Sequence, residues 1–270
     1  MRRCRVGPDV VAMRRLLARA AWRVVPDLMA DRAHRYQHSL YEHWGLNAIS
    51  DRVASDHGDR VLRGPFAGMR YPARRIGSLQ KRIGAYELEL HSWLEQALER
   101  RPARFIDIGA ADGFYAVGIA RRGVPVVAFE MARSARAEML ELARLNGVQL
   151  IPRGRATAAE LERLDFTDAL VLSDCEGAEV DVFAPAVIDR MRSATVIVEV
   201  HESRRPGAGT VLRERFAATH DIDIVEPAQR DAAAFPELVP FDPATRRRVL
   251  GEGRADATPW FRMTPRPPRS

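Results

Sequence analysis

The stretch that decides the fold runs from Phe105 to Gly113 and reads FIDIGAADG. An apolar run ends at Ile108, and helical spacing of apolar residues resumes near Phe114. A second apolar run, Val124 to Phe129, is followed directly by the acid Glu130. Strand, glycine-containing turn, helix and strand in this order predict a nucleotide-binding βαβ unit.

Two glycines shape the turn of this unit. Gly109 and Gly113 lack a Cβ, so the backbone can turn sharply there and pass close to a ligand. We expect Ala110 and Asp112, which lie between them, to contribute to binding of the same ligand. Glu130 closes the second strand, where an acid accepts hydrogen bonds from both hydroxyls of a ribose in such units.

Asp107 bears on which nucleotide binds. A dinucleotide fingerprint reads G-x-G-x-x-G and faces a pyrophosphate, whereas this chain reads Asp107-x-Gly109-x-x-x-Gly113. An anionic Asp107 would repel a pyrophosphate but could pair with an ammonium group. S-Adenosylmethionine carries an amino group and a sulfonium and has no phosphate, so it is the predicted cofactor. A dinucleotide and a purely structural turn are the alternatives.

The charge of the chain comes from arginine. Its 270 residues suffice for one α/β domain and an extension, and its net charge is +6. Only one of the 42 basic residues is a lysine, Lys81. The arginines are spread beside 36 acids, without a dense basic block that contains aromatic residues. This pattern favours a compositional bias over a nucleic-acid surface, which stays the alternative.

Cysteine usage and hydropathy predict a cytoplasmic protein. Cys4 and Cys175 occur in unlike contexts and form no disulfide framework, as is typical of a reducing compartment. No apolar run reaches the roughly 18 residues that a membrane span needs. Asp9, Arg14 and Arg15 interrupt the apolar region that a signal peptide would require.

Helical and strand patterns alternate along the rest of the chain. Helices are predicted at 86–99, 132–145, 158–163, 184–192, 209–218 and 243–250, and strands at 148–151, 169–173, 194–200, 221–225 and 260–263. Nearly continuous apolar strands that alternate with helices indicate a sheet buried on both faces. We therefore predict a doubly wound, mostly parallel α/β domain of the Rossmann-like class over residues 84–270.

Residues 1–83 are predicted to form an N-terminal helical and hairpin extension. Helical periodicity covers 8–56 with a break at Pro26-Asp27, and the pattern VLRGPFAGMRYP at 61–72 suggests a β-hairpin. Residues 73–84 resemble a basic loop. The helices would dock on the main domain or on a second copy of the chain, which leaves a homo-oligomer open. A basic amphipathic helix that lies on a membrane and a lid over the substrate are the alternatives.

Polar side chains follow the fourth and fifth strands of the predicted sheet. Asp174 and Glu176 follow the fourth strand, and Glu199 and His201 lie at the end of the fifth. Ligands of open α/β sheets bind at the carboxyl ends of the strands, so we expect these side chains to line one pocket. The period of two along a strand points Glu199 and His201 to the same face.

His201 is the predicted general base. Its ordinary pKa is about 6.5, and a neighbouring carboxylate could raise it into the range for proton abstraction at neutral pH. It would take the proton of an acceptor hydroxyl as that hydroxyl attacks the methyl group. The alternative is a histidine that only caps the strand end. We expect Asp174 and Glu176 to fix the cofactor or bind acceptor hydroxyls, and we interpret Cys175 as a core residue.

No metal is predicted. A cation held by Asp174, Glu176 and His201 is the alternative at the strand ends, because hard cations bind carboxylates. His34, His38 and His43 fall near helical spacing. Most histidines in such a pattern are half-exposed surface residues, so we do not interpret these three as metal ligands.

The chain resembles the class I S-adenosylmethionine-dependent methyltransferases in the segments FIDIGAADGFYAVGIA, VVAFE, LARLNGV, LVLSDCEGAEVDVF and VIVEVHE. The DCEGAE block followed by VEVHE is similar to the FkbM-type methyltransferases. The likeness covers about residues 84–202 and departs from the family pattern at Ser173, where lysine is more usual. The resemblance implies O-methylation, often of sugars or other small hydroxylated metabolites.

The same resemblance implies roles for individual residues. Matched by position, the cofactor would be bound by Asp107, Gly109, Gly113 and Glu130, and the reacting region would be lined by Asp174, Glu176, Glu179, Glu199 and His201. We predict a methyltransferase with a small-molecule acceptor. Methylation of RNA or protein is the alternative activity. A non-catalytic protein that binds adenosyl ligands is the alternative from another class.

Overall fold

The computed structural model describes residues 26–251 and 258–267. Seven strands form one sheet, with the bounds β1 Arg104–Ile108, β2 Val126–Phe129, β3 Ile151–Arg153, β4 Ala169–Ser173, β5 Thr195–Glu199, β6 His220–Val225 and β7 Trp260–Pro265. Their order across the sheet is β3-β2-β1-β4-β5-β7-β6. Strands β1 to β5 run parallel, whereas β7 lies antiparallel between β5 and β6.

Helices connect and flank these strands. Their bounds are α1 Pro26–His43, α2 Leu46–His57, α3 Ser78–Ile83, α4 His91–Glu99, α5 Phe114–Ala120, α6 Arg133–Leu145, α7 Ala158–Leu161, α8 Glu179–Val182, α9 Pro185–Arg190, α10 Ala208–Phe216 and α11 Pro243–Leu250. No helix within the described ranges is long and apolar enough to cross a membrane. The helical pattern predicted for 8–25 lies outside the described residues.

The predicted fold class is confirmed. The order β3-β2-β1-β4-β5 is that of a doubly wound nucleotide-binding sheet, and only β7 runs against the other strands. All five residues of β4 are buried, because both faces of the sheet are covered. Alternate residues of β1 enter different cores, Phe105 on one face and Ile106 on the other.

The third strand starts later than predicted, at Ile151 instead of 148. The amides of Asn146, Gly147 and Val148 bond the last carbonyls of α6, which delays the change to extended backbone. All three residues of β3 are exposed, as expected for the edge of a sheet.

The two predictions for the segment before β1 have different outcomes. Residues 61–72 form a short hairpin-like turn without extended strands, closed by the antiparallel bridge between Arg60 and Arg70 and by hydrogen bonds from the amides of Val61 and Tyr71 to the oxygens of Met69 and Asp59. Residues 73–84 are not a loop, because they contain α3, which is bounded by Gly77 and Gly84 in left-handed conformation. A helix of six residues is too short to show helical periodicity in the sequence.

The chain before β1 packs onto the sheet. The rings of Phe66 and Tyr71 meet Phe114 edge to face, at centroid distances of 5.3 and 5.6 Å. Helix α1 lies against α6, where Asp31 Oδ1 accepts hydrogen bonds from the amide and hydroxyl of Ser134 at 2.9 and 2.8 Å. The N-terminal segment therefore shares the core of the α/β sheet.

The turn after β1 lies directly against the segment after β4. Gly109 has φ +87°, and a Cβ added there would lie 1.8 Å from the main-chain oxygen of Asp174. The Asp174 amide donates to the oxygen of Ile108 at 2.9 Å. A Cβ at Gly113 would lie 2.6 Å from the Met139 side chain. Both glycines are thus required by contacts within the protein, in addition to any ligand they approach.

We expect Gly109→Ala to destabilise the protein by about 3 kcal/mol or more, because alanine disfavours positive φ and its Cβ would overlap backbone. Gly147→Ala is the matched control, since Gly147 has φ +66° and no atom within 4 Å of an added Cβ. The free energy of unfolding of the control should fall by only about 1 to 2 kcal/mol. Urea unfolding measures both variants, and equal losses would show that the contact with Asp174 relaxes without cost.

Candidate functional site

A pocket opens beside the carboxyl ends of β1 and β4, where the strand order reverses. Its lining includes four of the predicted site residues, namely Gly109, Ala110, Asp112 and Asp174. The other lining residues are Lys81, Tyr86, Glu87, Ala111, Phe114, Tyr115, Leu172 and Trp260. The crevice at this reversal is where doubly wound sheets bind ligands. Part of its wall comes from the chain before β1.

Asp107 is a buried acid in β1, two residues before Gly109 of the pocket lining. It is 1% exposed, and no basic side chain among the described residues forms an ion pair with it. Burial raises the pKa of Asp107 well above its usual range, and the charges of Glu130 and Asp174 raise it further. A positively charged group on a ligand would oppose both effects.

Glu130 is tied to the turn after β1. One carboxylate oxygen accepts the amide of Ala111 at 2.9 Å, and the other accepts the amide of Ala132 at 2.7 Å. Burial raises the pKa of Glu130, while these two amides oppose the rise. Each oxygen keeps a lone pair, so the carboxylate can still accept hydrogen bonds from ligand hydroxyls.

Asp112 is engaged by protein groups. Its Oδ2 accepts the hydroxyl of Tyr71, and its Oδ1 accepts Lys81 Nζ at 2.9 Å. Burial and the charge of Asp112 raise the pKa of Tyr71 well above its usual value, so the phenol stays protonated and donates. The Asp112 side chain therefore fixes Lys81 and Tyr71 beside the turn.

Lys81 is a functional candidate that the motif analysis missed. Its Nζ lies 5.0 Å from the ring centroid of Tyr86, 5.4 Å from that of Phe114 and 5.7 Å from that of Tyr71. The side chain is 7% exposed, and Asp112 is its single hydrogen-bond partner in the described residues. An ammonium has three donors, so two remain for a ligand. The sequence does mark this position, because Lys81 is the one lysine among 42 basic residues and the rest are arginine.

Glu87 brings a negative charge to the same pocket. It is 2% exposed and accepts a hydrogen bond from the hydroxyl of Tyr115. Its φ of +45° is uncommon for a residue other than glycine, so the surrounding structure must hold it there. The pocket thus offers an ammonium from Lys81 and a carboxylate from Glu87.

His201 is buried among carboxylates at the end of β5. Its Nδ1 lies 2.7 Å from Glu179 Oε1, and Glu179 is fully buried. Its Nε2 lies between 3.5 and 3.7 Å from the nearest oxygens of Glu176, Asp174 and Glu199. The structure thus brings together the four side chains predicted at the ends of β4 and β5. The hydrogen bond from Nδ1 to Glu179 is a contact that the sequence pattern did not predict.

These acids change the protonation of His201. Burial disfavours the charged imidazole, but the hydrogen bond to Glu179 and the charges of Asp174 and Glu176 outweigh it and raise the pKa of His201. Nearby, Glu176 Oε2 also pairs with the Arg204 guanidinium at 2.7 Å. His201 and Arg204 together supply positive charge to the acids at this edge of the sheet.

The segment between β4 and α8 also places Cys175. This residue is half-buried and packs against the core on one face of the sheet. Burial and the charge of Glu179 raise the pKa of its thiol above the usual range, so it is protonated at neutral pH. Asp174, Glu176 and His201 have ligand atoms within 4.8 Å of one another, and Glu176 among them pairs with the Arg204 guanidinium.

We expect His201 to titrate above its ordinary value of about 6.5 and buried His220 below it, because burial lowers the pKa of His220. Glu179→Gln removes the hydrogen-bonded negative charge and should lower the pKa of His201 while leaving His220 unchanged. An NMR titration of the imidazole signals measures both residues in one sample. An unaltered His201 pKa in the variant would contradict the role given to Glu179.

No family model matches the chain, and no curated protein matches it. Solved structures that are similar include a proposed O-methyltransferase from Klebsiella pneumoniae, 12% identical, with 89% of this chain and 99% of that chain covered and a TM-score of 0.49. The bifunctional kinase-methyltransferase WbdD is 16% identical over 80% of this chain and 46% of its own, with a TM-score of 0.46. Precorrin 8w decarboxylase from Methanobacterium thermoautotrophicum is 16% identical, with 65% of this chain and 88% of that chain covered and a TM-score of 0.43. These likenesses are too weak to bear on activity, and the Rossmann-like fold is assigned from the strand order of this chain.

Proposed function

We propose that this protein is an S-adenosylmethionine-dependent methyltransferase that methylates a hydroxyl group of a small metabolite or sugar. The observation that carries the proposal is the acidic crevice at the strand reversal, where Asp107 is buried in β1 within range of the charges of Asp174 and Glu87, two residues of the pocket lining, and no basic side chain among the described residues forms an ion pair with it. A site with this charge suits a cationic ligand. It opposes the pyrophosphate that a dinucleotide would bring.

The side chains around the pocket fit the parts of this cofactor. Glu130 can accept the ribose hydroxyls, because each of its oxygens keeps a free lone pair beside the turn. Asp107 and Glu87 are the acids for the α-ammonium group, and Lys81 is the cation for the α-carboxylate. When bound, the cofactor supplies an electrophilic methyl group. A zwitterionic amino acid needs both charges, which this pocket has.

The protein's own part in the reaction is positioning and proton removal. His201 would accept the proton of the acceptor hydroxyl at Nε2, since Nδ1 is directed to Glu179. Because the surrounding acids raise the pKa of His201, the neutral form becomes abundant only toward higher pH. Activity should therefore rise with pH through this raised pKa. Asp174, Glu176 and Glu199 surround the same nitrogen and would contact acceptor hydroxyls.

The FkbM-type assignment is part of this proposal. The block that carries the resemblance begins at Asp174, which lines the pocket, and ends at Glu179, which orients His201. Both ends of the block therefore bear on the proposed chemistry. We favour a small-molecule acceptor over RNA or protein, since the walls of the pocket carry carboxylates and the chain has no dense basic block.

Ligand binding tests the proposal first. The purified protein should bind S-adenosylmethionine and S-adenosylhomocysteine in calorimetry but not NAD. Glu130→Ala should weaken the binding of both adenosyl ligands by about 1 to 3 kcal/mol, which is the usual contribution of hydrogen bonds to a charged group. Glu162→Ala, at an exposed glutamate outside the pocket, is the control and should bind like the wild type.

Activity is measured by transfer of label from methyl-labelled cofactor to metabolites of a cell lysate. Tighter binding of NAD than of either adenosyl ligand would overturn the cofactor assignment. Binding without label transfer to any fraction would favour a non-catalytic adenosyl-binding protein.

Lys81→Met tests the amino-acid end of the pocket. The variant should bind S-adenosylhomocysteine more weakly by about 1 to 3 kcal/mol, because the carboxylate loses its charged partner. It should bind 5′-methylthioadenosine, which has no amino-acid group, as tightly as the wild type does. Calorimetry with the two ligands makes the comparison, and unchanged binding of methylthioadenosine also shows that the pocket remains folded. Equal weakening of both ligands would assign Lys81 a structural role.

A further inference from the structure

A second cluster of ligand-type side chains lies between α1 and α6. His34 Nε2 and His38 Nε2 each lie 3.0 Å from the same atom, Glu138 Oε1. The two imidazole rings stand edge to face, with centroids 4.9 Å apart. His34 is only 8% exposed, whereas His38 and Glu138 are half-buried. This group is separate from the pocket at the strand ends.

The spacing of the two histidines explains their convergence. Residues four apart on a helix lie on one face, so α1 directs both rings toward α6. Glu138 supplies a carboxylate from the facing helix, and all three ligand atoms lie within 4.8 Å of one another. Two imidazoles at this spacing with one carboxylate form a ligand set that binds zinc in proteins.

The other contacts of Glu138 leave its Oε1 atom available to bind a ligand together with the two imidazoles. Arg75 NH1 donates to the main-chain oxygen of Glu138 at 2.9 Å and lies 3.9 Å from Oε2. Oε2 itself is buried and has no hydrogen-bond partner in the described residues. The guanidinium therefore flanks Oε2, while the imidazoles converge on Oε1.

We propose that His34, His38 and Glu138 bind a divalent transition metal of the zinc class, which joins α1 to α6. Zinc–ligand bonds of about 2.0 Å in a tetrahedron place the ligand atoms roughly 3.3 Å apart, a few tenths of an ångström more than the contacts seen here. Each imidazole must present the lone pair of Nε2 to the metal, so the proton between Nε2 and Oε1 moves to Nδ1 or is released to solvent. Water completes the coordination, because His38 is one-third exposed.

The site has a consequence for the N-terminal segment. Asp31, one turn before His34, bonds Ser134 at the start of α6. Metal binding would fix α1 at a second point one turn further along α6. The helix would then be fixed against α6 at both Ser134 and Glu138. This inference concerns docking of α1 and is independent of the proposed methyltransferase activity.

Equilibrium dialysis tests the proposal with Zn²⁺ and the full chain, purified without a histidine tag and stripped of metal by a chelator. The wild type should retain about one equivalent. His34→Ala, His38→Ala and Glu138→Gln should each bind Zn²⁺ at least 10- to 100-fold more weakly, since even changes outside the ligand set have effects of about this size. His43→Ala, at an exposed histidine of the same helix, is the matched control and should bind like the wild type.

Hydrogen exchange gives a second measurement. Zn²⁺ should slow exchange of the α1 amides in the wild type and in His43→Ala, but not in His38→Ala, because binding to the folded form stabilises it. A circular dichroism spectrum like that of the wild type shows that each variant is folded. Absence of Zn²⁺ binding by the wild type would overturn the proposal. So would equal binding by His38→Ala and His43→Ala, since the metal would then belong to other ligands.

Discussion

The close approach of the turn after β1 to the segment after β4 is the contact on which the site depends. Gly109 faces the carbonyl of Asp174 with no room for a Cβ, and the Asp174 amide bonds the oxygen of Ile108. Because the two backbones touch, Asp107 at the end of β1 lies within the electrostatic influence of Asp174. The same packing that joins the two central strands therefore forces acids into one crevice.

Such a crevice needs positive charge, and the protein supplies it at two places. At the end of β5, His201 and Arg204 face the acids that follow β4. Beside the glycine turn, Lys81 is held by Asp112 and by three aromatic rings. Asp107 has no such partner among the described residues. This acid lies where such folds bind ligands, and it supports the proposal that a cationic nucleoside, not a dinucleotide, binds here.

The segment before β1 supplies part of the pocket as well as part of the core. Lys81, Tyr86 and Glu87 line the pocket, although all three precede the first strand. Tyr71 connects this segment to the turn through its hydrogen bond to Asp112. Helix α1, which also belongs to this segment, is held on α6 by contacts of Asp31 with Ser134 and of His34 and His38 with Glu138. The N-terminal segment thus contributes to the wall of the pocket and also packs on α6.

The sequence by itself determined the fold class, the order of helices and strands, and the set of acids at the strand ends. These features follow from local rules, since apolar runs, glycine turns and strand ends are recorded in neighbouring residues. Local rules did not predict short or irregular elements, as α3 and the late start of β3 demonstrate. Only the tertiary structure decided that Lys81 lines the pocket, that Glu179 holds His201, and that His34 and His38 meet Glu138. Those pairings join residues far apart in the chain, and they depend on how helices pack on the sheet, which no local pattern encodes.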